Sequence, residues 1–490
     1  MMKKKGKENL KKNLVYNAVY QILLIVLPLI TAPYVTRVFG EDKLGIYSYT
    51  QAFAQYFLLF SMLGVNNYGN RSIARVRGDD RLVNKTFWEI YSFQLLTAIA
   101  VTSVYWICCL FVIKENRLIY FMQSFYVMSG LLDVNWCCFG LEKFKLTTVR
   151  SMTVRILTAV ATFVFVKKQA DLWKYTLIIS LSFLLAAIAV WPFVLKNIKW
   201  EKPTWRGIKG HIKPNLVLFG PVIAISLYNI MDKLMLGQFS ADAEVAFYTY
   251  AERIVSIPAM LLVAMDNVIM PRMSNLFSRE NGEEAARKLM DSVMLFAMFL
   301  SSAMCFGLAG IARVFAPWFY GDSFKRCGYF IFLLCPTILL KGWAGALRTQ
   351  YIIPTGRDKL YLVSLFSGAG VNLLLNLILI PKLNGVGAII GTLAAELTVC
   401  FIQFFLCRRN IPIKSYLTDG IGFGVIGIGM YFVVAALSGI SSNPIIVMAV
   451  QVAVGAALYI SVACLFMVFV RKKPILVNEG LKILKIKYRF

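Results

Sequence analysis

Ten ionisable side chains lie inside long apolar runs of this 490-residue chain. An ionised side chain at the centre of a bilayer costs on the order of 2.5–3.5 kcal/mol on insertion scales, so such residues usually face protein or water and often serve a function. The ten are therefore the first candidates for chemistry. They are Asp133, Arg155, Asp232, Lys233, Glu252, Arg253, Asp266, Arg313, Lys341 and Glu396.

The cations among these residues favour an anionic ligand. A cavity lined by lysine and arginine would suit a pyrophosphate and would repel an organic cation, because arginine forms bidentate contacts with phosphate oxygens. Arg37 and Arg71 lie near predicted helix ends, where snorkelling to lipid headgroups is the alternative interpretation. The candidate phosphate-binding residues are Lys233, Arg253, Arg155, Lys341, Arg37 and Arg71.

Two pairs of opposite charges are adjacent in sequence, Asp232–Lys233 and Glu252–Arg253. Neighbouring residues on a helix point about 100° apart, so neither pair can form a simple face-to-face salt bridge. One member can face a cavity while the other pairs with a neighbouring helix. The alternative is an ion pair between helices that only fixes their packing.

The elements that must position these residues are membrane-spanning helices. The chain is 59% hydrophobic and 16% charged, against about 25% charged in soluble proteins, and its mean hydropathy is +0.67. Apolar runs of roughly 20 residues match a ~30 Å hydrocarbon core, and a chain in lipid must satisfy its own backbone hydrogen bonds. The runs do not alternate as β-barrel strands do. The sequence predicts an all-α integral membrane protein of about 14 transmembrane helices, including helices at 13–36, 44–66, 118–140 and 215–237.

The net charge of +27 comes mostly from short gaps between the apolar runs. Nucleic-acid binding is therefore disfavoured, since cations in such gaps set membrane orientation. The even-numbered gaps are more basic than the odd-numbered ones, which predicts an even number of helices and two cytoplasmic termini. The basic N-terminus and the apolar run after it are interpreted as a retained first helix rather than a signal peptide.

Metal, redox and catalytic chemistry have little support. The ten cysteines form no CxxC pair and no cluster with histidine, so they are interpreted as small apolar side chains. The single histidine, His211, is predicted to lie in a basic loop without a ligand partner nearby. We therefore predict no catalytic residues, no metal site and no cofactor.

A short internal repeat suggests two halves. Leu44–Tyr49 opens the second predicted helix, and the similar Val245–Tyr250 opens the eighth. An offset of six helices gives both copies the same orientation, which predicts two six-helix lobes related by an axis along the membrane normal. The predicted organisation is a first lobe at 1–195, a basic cytoplasmic linker at 196–214, a second lobe at 215–410, two additional helices at 411–470 and a basic cytoplasmic tail at 471–490.

Several segments, in order and spacing, resemble polysaccharide and O-antigen flippases of the Wzx type, in the multidrug/oligosaccharidyl-lipid/polysaccharide exporter superfamily. The likeness extends over essentially the whole chain, although no single motif is diagnostic. The segments are Pro33–Gly40, Leu44–Tyr47, Leu63–Arg71, Met231–Gly237, Tyr250–Ile254, Met270–Ser274, Asn372–Asn376 and Ile380–Ala388.

The resemblance implies that the protein carries undecaprenyl-pyrophosphate-linked oligosaccharide repeat units from the inner to the outer leaflet of the bacterial cytoplasmic membrane. It implies two lobes in a V, the two C-terminal helices apart, and alternating access. By motif, it places basic cavity residues at Lys233 and Arg253. A polysaccharide polymerase and glycosyltransferases are the partners it suggests, for synthesis of capsule, O-antigen or exopolysaccharide.

Direction must come from an ion gradient or from consumption of the product, because the chain has no GxxxxGK[ST] motif for ATP. Asp133, Asp232, Asp266 and Glu396 are the candidate ion-coupling carboxylates. Two alternatives remain within the superfamily, a lipid II flippase and a multidrug or cation antiporter. A membrane polymerase or ligase is disfavoured, because no substantial outward loop and no catalytic constellation is visible.

Overall fold

The computed structural model describes residues 2–280 and 282–472, and it describes their side chains except at 2–25, 144–146 and 228. These residues form helices joined by short connections and contain no strand. The chain divides into two compact units after Ala246. The predicted lobe boundaries, which differ from this division, stay a prediction. Most of the predicted tail, residues 473–490, lies outside the described residues.

Unit 1 extends to Ala246, and α1 packs against several helices that follow it, including α3, α4, α6 and α7. Its helices are α1 Met2–Met62, α2 Val65–Val76, α3 Asp80–Ile107, α4 Arg117–Leu132, α5 Asn135–Gly140, α6 Phe144–Phe165, α7 Leu172–Ile188, α8 Trp191–Asn197, α9 Trp205–Asn229 and α10 Met231–Phe239.

Unit 2 begins at Phe247, inside α11, and is built around the long helix α12, which packs against α13, α14, α17 and α18. Its hydrophobic core includes six buried methionines, flexible side chains that fill irregular gaps. The helices are α11 Asp242–Phe277, α12 Glu283–Tyr320, α13 Lys325–Leu334, α14 Pro336–Leu347, α15 Asp358–Leu383, α16 Gly385–Cys407, α17 Ile413–Ala436 and α18 Pro444–Leu465.

Eleven helical stretches among the described residues are long and apolar enough to cross a bilayer. Large apolar side chains remain exposed on them, such as Val268 at 79% and Phe111 at 76%. Apolar surface on this scale marks contact with a partner or with lipid. Both observations agree with the predicted helical membrane protein.

The first two predicted helices are two helical segments of α1 that meet at a kink rather than at a loop. The predicted loop between residues 36 and 44 lies inside α1, whose backbone bends at Gly40 with φ 70° and ψ −177°. This region of backbone space is open essentially to glycine alone. Gly40 therefore ends one helical segment, and the next begins directly after it in a new direction.

Two other helix boundaries also differ from the prediction. The predicted helix at 118–140 is interrupted at Asp133 and Val134, between α4 and α5. The predicted linker is helical from Trp205, where the Thr204 hydroxyl caps α9 by accepting a hydrogen bond from the Gly207 N–H at 3.1 Å. The placement of His211 in a loop is therefore wrong, because an N-cap residue starts the helix before the apolar run begins.

We predict that Gly40→Ala destabilises the protein by about 1–3 kcal/mol, because a Cβ is strained in this backbone conformation. Thermal unfolding of the purified protein in detergent measures the effect. Gly78→Ala is the matched control: Gly78 also has open space around it but no positive φ, so its replacement should be neutral or stabilise by up to about 1 kcal/mol. Equal unfolding temperatures for the two variants would contradict the assignment of the kink to Gly40.

Candidate functional site

The ten predicted site residues are divided between the two units. Six lie in unit 1 and four in unit 2. Those in unit 1 are Arg37, Arg71, Asp133, Arg155, Asp232 and Lys233, and those in unit 2 are Arg253, Asp266, Lys341 and Glu396.

Asp133 lies at the break between α4 and α5. Its Oδ1 accepts hydrogen bonds from the Asn135 backbone N–H at 3.1 Å and from Asn135 Nδ2 at 2.6 Å. Asn135 in turn accepts a hydrogen bond from the Arg150 guanidinium at 2.9 Å. The Asp133 carboxylate, the Asn135 amide and the Arg150 guanidinium thus form one hydrogen-bonded chain, in which the amide joins the acid to the arginine.

Gln94 of α3 makes this break possible. Its Nε2 donates to the carbonyl oxygens of Gly130 at 2.8 Å and Asp133 at 3.0 Å, and its Oε1 accepts from Trp136 Nε1 at 2.9 Å. Buried backbone carbonyls released by a helix break need such partners. Gln94 is fully buried, so it fixes the backbone of Asp133 against α3.

Arg155 lies near the middle of α6, within the candidate span Thr147–Phe165. Ser151, Arg155, Thr158 and Thr162 recur every three or four residues and therefore share one face of the helix. The Arg155 side chain is exposed, and among the described residues it has no carboxylate or hydrogen-bond partner. A polar helix face with an unpaired guanidinium at its centre needs water or an anion beside it.

Asp232 and Lys233 lie in the first turn of α10, just after the break between α9 and α10 at Ile230. Asp232 is fully buried and Lys233 is half-buried. Both residues make polar or electrostatic interactions. The different exposure of the two neighbours agrees with the expectation that adjacent helix positions face different surroundings.

Arg37 and Arg71 are exposed. The Arg37 guanidinium donates to the Pro33 carbonyl oxygen at 2.9 Å, one turn back in α1. Arg71 lies on α2, a helix of 12 residues that is too short to cross a bilayer. Both interpretations, phosphate binding and snorkelling, stay open for them.

Lys341 and Glu396 form an ion pair across α14 and α16, with 3.5 Å between Lys341 Nζ and Glu396 Oε1. The Glu396 side chain is 7% exposed and that of Lys341 is 37% exposed. A predicted anion-binding cation is therefore held by a predicted ion-coupling carboxylate. Any anion that binds Lys341 competes with Glu396 for it.

Arg253 and Asp266 both lie on α11. Arg253 is exposed, and its guanidinium carbon is 4.6 Å from the centre of the Tyr250 ring, a cation–π contact. Asp266 is 2% exposed, and its Oδ1 lies 3.5 Å from Gln350 Nε2. Gln350 belongs to a π-helical turn, Arg348–Ile352, at the end of α14, and such turns are frequent at functional sites.

Three residues with buried interactions were missed as candidates. Arg150 lies in α6 and binds Asn135, and Arg348 lies in the π-helical turn whose Gln350 contacts Asp266. Glu89 is 5% exposed and was not singled out. The signal for Glu89 was present, because it is a carboxylate in the apolar part of a predicted helix; the arginines gave none, because they are near helix ends.

His211 and Glu89 are partners across α9 and α3. His211 Nε2 is 3.3 Å from Glu89 Oε2, and its Nδ1 is 2.7 Å from the Tyr68 hydroxyl. The described residues contain no group of three or more His, Cys, Asp or Glu side chains that could hold a metal ion. The histidine is thus part of a polar contact between helices.

Comparison with known proteins shows to which family the chain belongs. The family model described as polysaccharide biosynthesis protein matches residues 10–277, more than half of the chain. The chain belongs to this family. A protein of Escherichia coli (strain K12), provisionally named an O-antigen transporter, is 25% identical over 83% of this chain and 98% of its own length. A protein of Shigella dysenteriae with the same provisional name is 24% identical over 80% and 98%.

Solved structures of transporters share the fold. The lipid II flippase MurJ in an inward closed conformation matches with a TM-score of 0.74, at 16% identity, over 93% of this chain and 98% of its own. An inward-facing multidrug resistance MATE family transporter of the MOP superfamily matches with a TM-score of 0.59, at 13% identity, over 83% and 99%. The predicted family and the all-α membrane fold are confirmed. This family member is a multi-pass membrane transporter, and these relatives are named as transporters or a flippase rather than as enzymes.

The Lys341–Glu396 pair gives a test of whether this ion pair stabilises the fold. Lys341→Glu and Glu396→Lys alone each place like charges together, which should cost about 1–3 kcal/mol for a partly exposed pair. The double exchange restores the pair and should recover most of the loss in thermal unfolding. If the single variants and the double exchange were equally unstable, the ion pair would not contribute to the fold.

Proposed function

We propose that this protein is a flippase for undecaprenyl-pyrophosphate-linked oligosaccharide repeat units, in the biosynthesis of a cell-surface polysaccharide. It carries its substrate from the inner to the outer leaflet of the bacterial cytoplasmic membrane, with both termini in the cytoplasm. Family membership and the two O-antigen transporter relatives support the substrate class. A polymerase and glycosyltransferases would act after and before it.

The single observation that carries the proposal is Arg155. The span Thr147–Phe165 places it one residue from the midpoint, so at 1.5 Å per residue it lies about 12 Å from one end of the span and about 15 Å from the other. Snorkelling is most effective near helix ends. An exposed guanidinium at this depth, with no protein partner among the described residues, is explained by an anion that enters the membrane level of the protein.

A lipid-linked oligosaccharide cannot cross unaided, because its pyrophosphate and sugar hydroxyls would lose water in the bilayer core. In the proposed mechanism the pyrophosphate is bound by guanidinium and ammonium groups, while the polyprenyl chain stays in lipid. Alternating access then exposes the head group to the other side. The residues proposed to bind the pyrophosphate are Lys233, Arg253, Arg155, Lys341, Arg37 and Arg71.

The carboxylates provide a means of coupling to an ion gradient, as Glu396 illustrates. Protonation of Glu396, or binding of a cation to it, would weaken its ion pair with Lys341 and leave the ammonium for phosphate. Release of the ion would favour the pair again and displace the phosphate. The proposed ion-coupling carboxylates are Asp133, Asp232, Asp266 and Glu396.

Deletion of the gene in its native host should cause a pyrophosphate-linked oligosaccharide to accumulate facing the cytoplasm, because synthesis continues while transport stops. Mass spectrometry of extracted lipids identifies the accumulated oligosaccharide. A glycan-cleaving enzyme added to intact spheroplasts reaches only the outer leaflet, so it shows which leaflet holds the lipid. Accumulation of lipid II instead would identify a lipid II flippase. Loss of organic-cation efflux without any lipid accumulation would identify a multidrug antiporter.

Arg155→Gln, expressed in the deletion strain, should lower surface polysaccharide by about 10- to 100-fold, the range expected when a charge-assisted hydrogen bond to phosphate is lost. Arg155→Lys should retain part of the activity, because it keeps the charge and loses the bidentate geometry. Arg75→Gln, which removes an exposed guanidinium from α2, is the control. Full activity of Arg155→Gln at normal protein level would remove the main support for a phosphate path along α6.

A further inference from the structure

The segment 196–213, here called the basic segment, is the connection from α8 into the first turns of α9. It carries six lysines and arginines and one carboxylate, Glu201. All six cations are exposed. They are Lys196, Lys199, Lys202, Arg206, Lys209 and Lys213.

Two tryptophans are exposed among these cations. The Trp200 side chain is 68% exposed and that of Trp205 is 59% exposed. Lys209 Nζ lies 5.4 Å from the centre of the Trp205 ring, one turn along α9. Tryptophan and lysine interleaved in this way are typical of the membrane–water interface, where the ring lies at headgroup level and the ammonium meets phosphate.

The connection before α9 is fixed to unit 1 by its backbone. The Lys199 N–H donates to Asn84 Oδ1 at 3.0 Å, and the Lys199 carbonyl oxygen accepts from Trp88 Nε1 at 3.0 Å. The Trp88 and Trp200 rings meet at 4.4 Å between centres. Because the backbone and one ring hold the segment, its charged side chains are left facing outward.

Glu89 fixes the start of α9 in the same way. It accepts a hydrogen bond from the Thr204 hydroxyl at 3.1 Å and contacts His211 Nε2 at 3.3 Å. A Cβ on Gly207 would lie 1.9 Å from Glu89 Oε1, so only glycine permits this approach. The carboxylate of Glu89 is thus buried against α9 and does not neutralise the exposed cations.

Hydrophobic surface continues from the basic segment along α9. Leu216 is 48% exposed and Val217 is 67% exposed, whereas Ile208 and Asn215 on the other face are buried. The helix is therefore basic at its start and apolar beyond, on the side that leaves the protein. Basic residues followed by apolar residues along one helix match the layers of a membrane surface, where the headgroups come before the hydrocarbon.

We propose that the basic segment binds anionic phospholipid headgroups of the leaflet it faces, with phosphatidylglycerol as the bacterial example. Charge complementarity selects the occupant: six exposed cations and two exposed tryptophans fit a lipid phosphate layer. The positive-inside pattern places this leaflet on the cytoplasmic side. The interaction anchors the start of α9 to the membrane surface and does not depend on the transported substrate.

Native mass spectrometry of the purified full-length protein, titrated with phosphatidylglycerol or phosphatidylcholine, tests the proposal. Each lysine or arginine near an anionic surface contributes a several-fold effect, so Lys202→Gln/Arg206→Gln/Lys209→Gln should weaken phosphatidylglycerol binding on the order of 10- to 100-fold. Binding of phosphatidylcholine should change little. The unmutated protein should lose its preference for phosphatidylglycerol as salt is raised, because surface charges are screened.

Arg408→Gln/Arg409→Gln/Lys414→Gln is the matched control, since it removes three exposed cations from another gap assigned to the same side. It should weaken phosphatidylglycerol binding less than the 202/206/209 variant does, because no tryptophan lies among these three cations; an equal loss in the two variants would also count against the proposal. Unchanged affinity in the 202/206/209 variant, or no preference of the unmutated protein for phosphatidylglycerol over phosphatidylcholine, would overturn the proposal and favour an acidic protein as the occupant. Transport is not the readout, so failure of the flippase proposal would leave this result interpretable.

Discussion

The cost of placing charge at membrane depth is the constraint on which the rest of this structure depends. The protein meets it in three ways. Lys341 and Glu396 neutralise each other at 3.5 Å. Asp133 and Arg150 are joined through Asn135. Arg155 has neither arrangement among the described residues. The first two can be explained by packing alone, whereas for the third we propose an anion outside the chain.

The functional proposal follows from that difference. A buried ion pair is weak evidence for function, because interhelical pairs also fix packing. A guanidinium near the middle of a span, with no partner among the described residues, is stronger evidence. Its charge costs free energy at that depth, and no ion pair within the described chain offsets the cost. The anion in the proposed function is a pyrophosphate, and two oxygens of one phosphate group suit the bidentate geometry of arginine.

Helix 9 and helix 10 link the two parts of the proposal within unit 1. The basic segment lies at the start of α9, and Asp232 and Lys233 lie just after α9 ends, in the first turn of α10. Anchoring by lipid at the start of α9 would hold the axis of this helix, while the break at Ile230 separates the end of α9 from α10. Glu89 and His211 stabilise the anchored end through contacts that join residues 122 apart.

The sequence predicted the helices well because the membrane leaves a chain of apolar runs only one regular structure. It also located the intramembrane charges, since these interrupt the runs. It could not predict the partners of these charges, which depend on packing between helices distant in sequence. Arg150 binds Asn135, and His211 contacts Glu89 and Tyr68, which are far away in the chain. The break at Gly40 falls between the first two predicted helices, and only its length differs: one glycine with positive φ replaces the predicted loop.

The central claim is that this chain moves a polyanionic head group across the membrane. Its most direct test is a dithionite-quenching assay in proteoliposomes that contain either a fluorophore-labelled polyprenyl-pyrophosphate saccharide or the same labelled saccharide on an uncharged polyprenyl ether. The account predicts protein-dependent transbilayer movement of the pyrophosphate lipid and little movement of the uncharged one. Equal rates for the two lipids, or movement of the uncharged lipid alone, would contradict it.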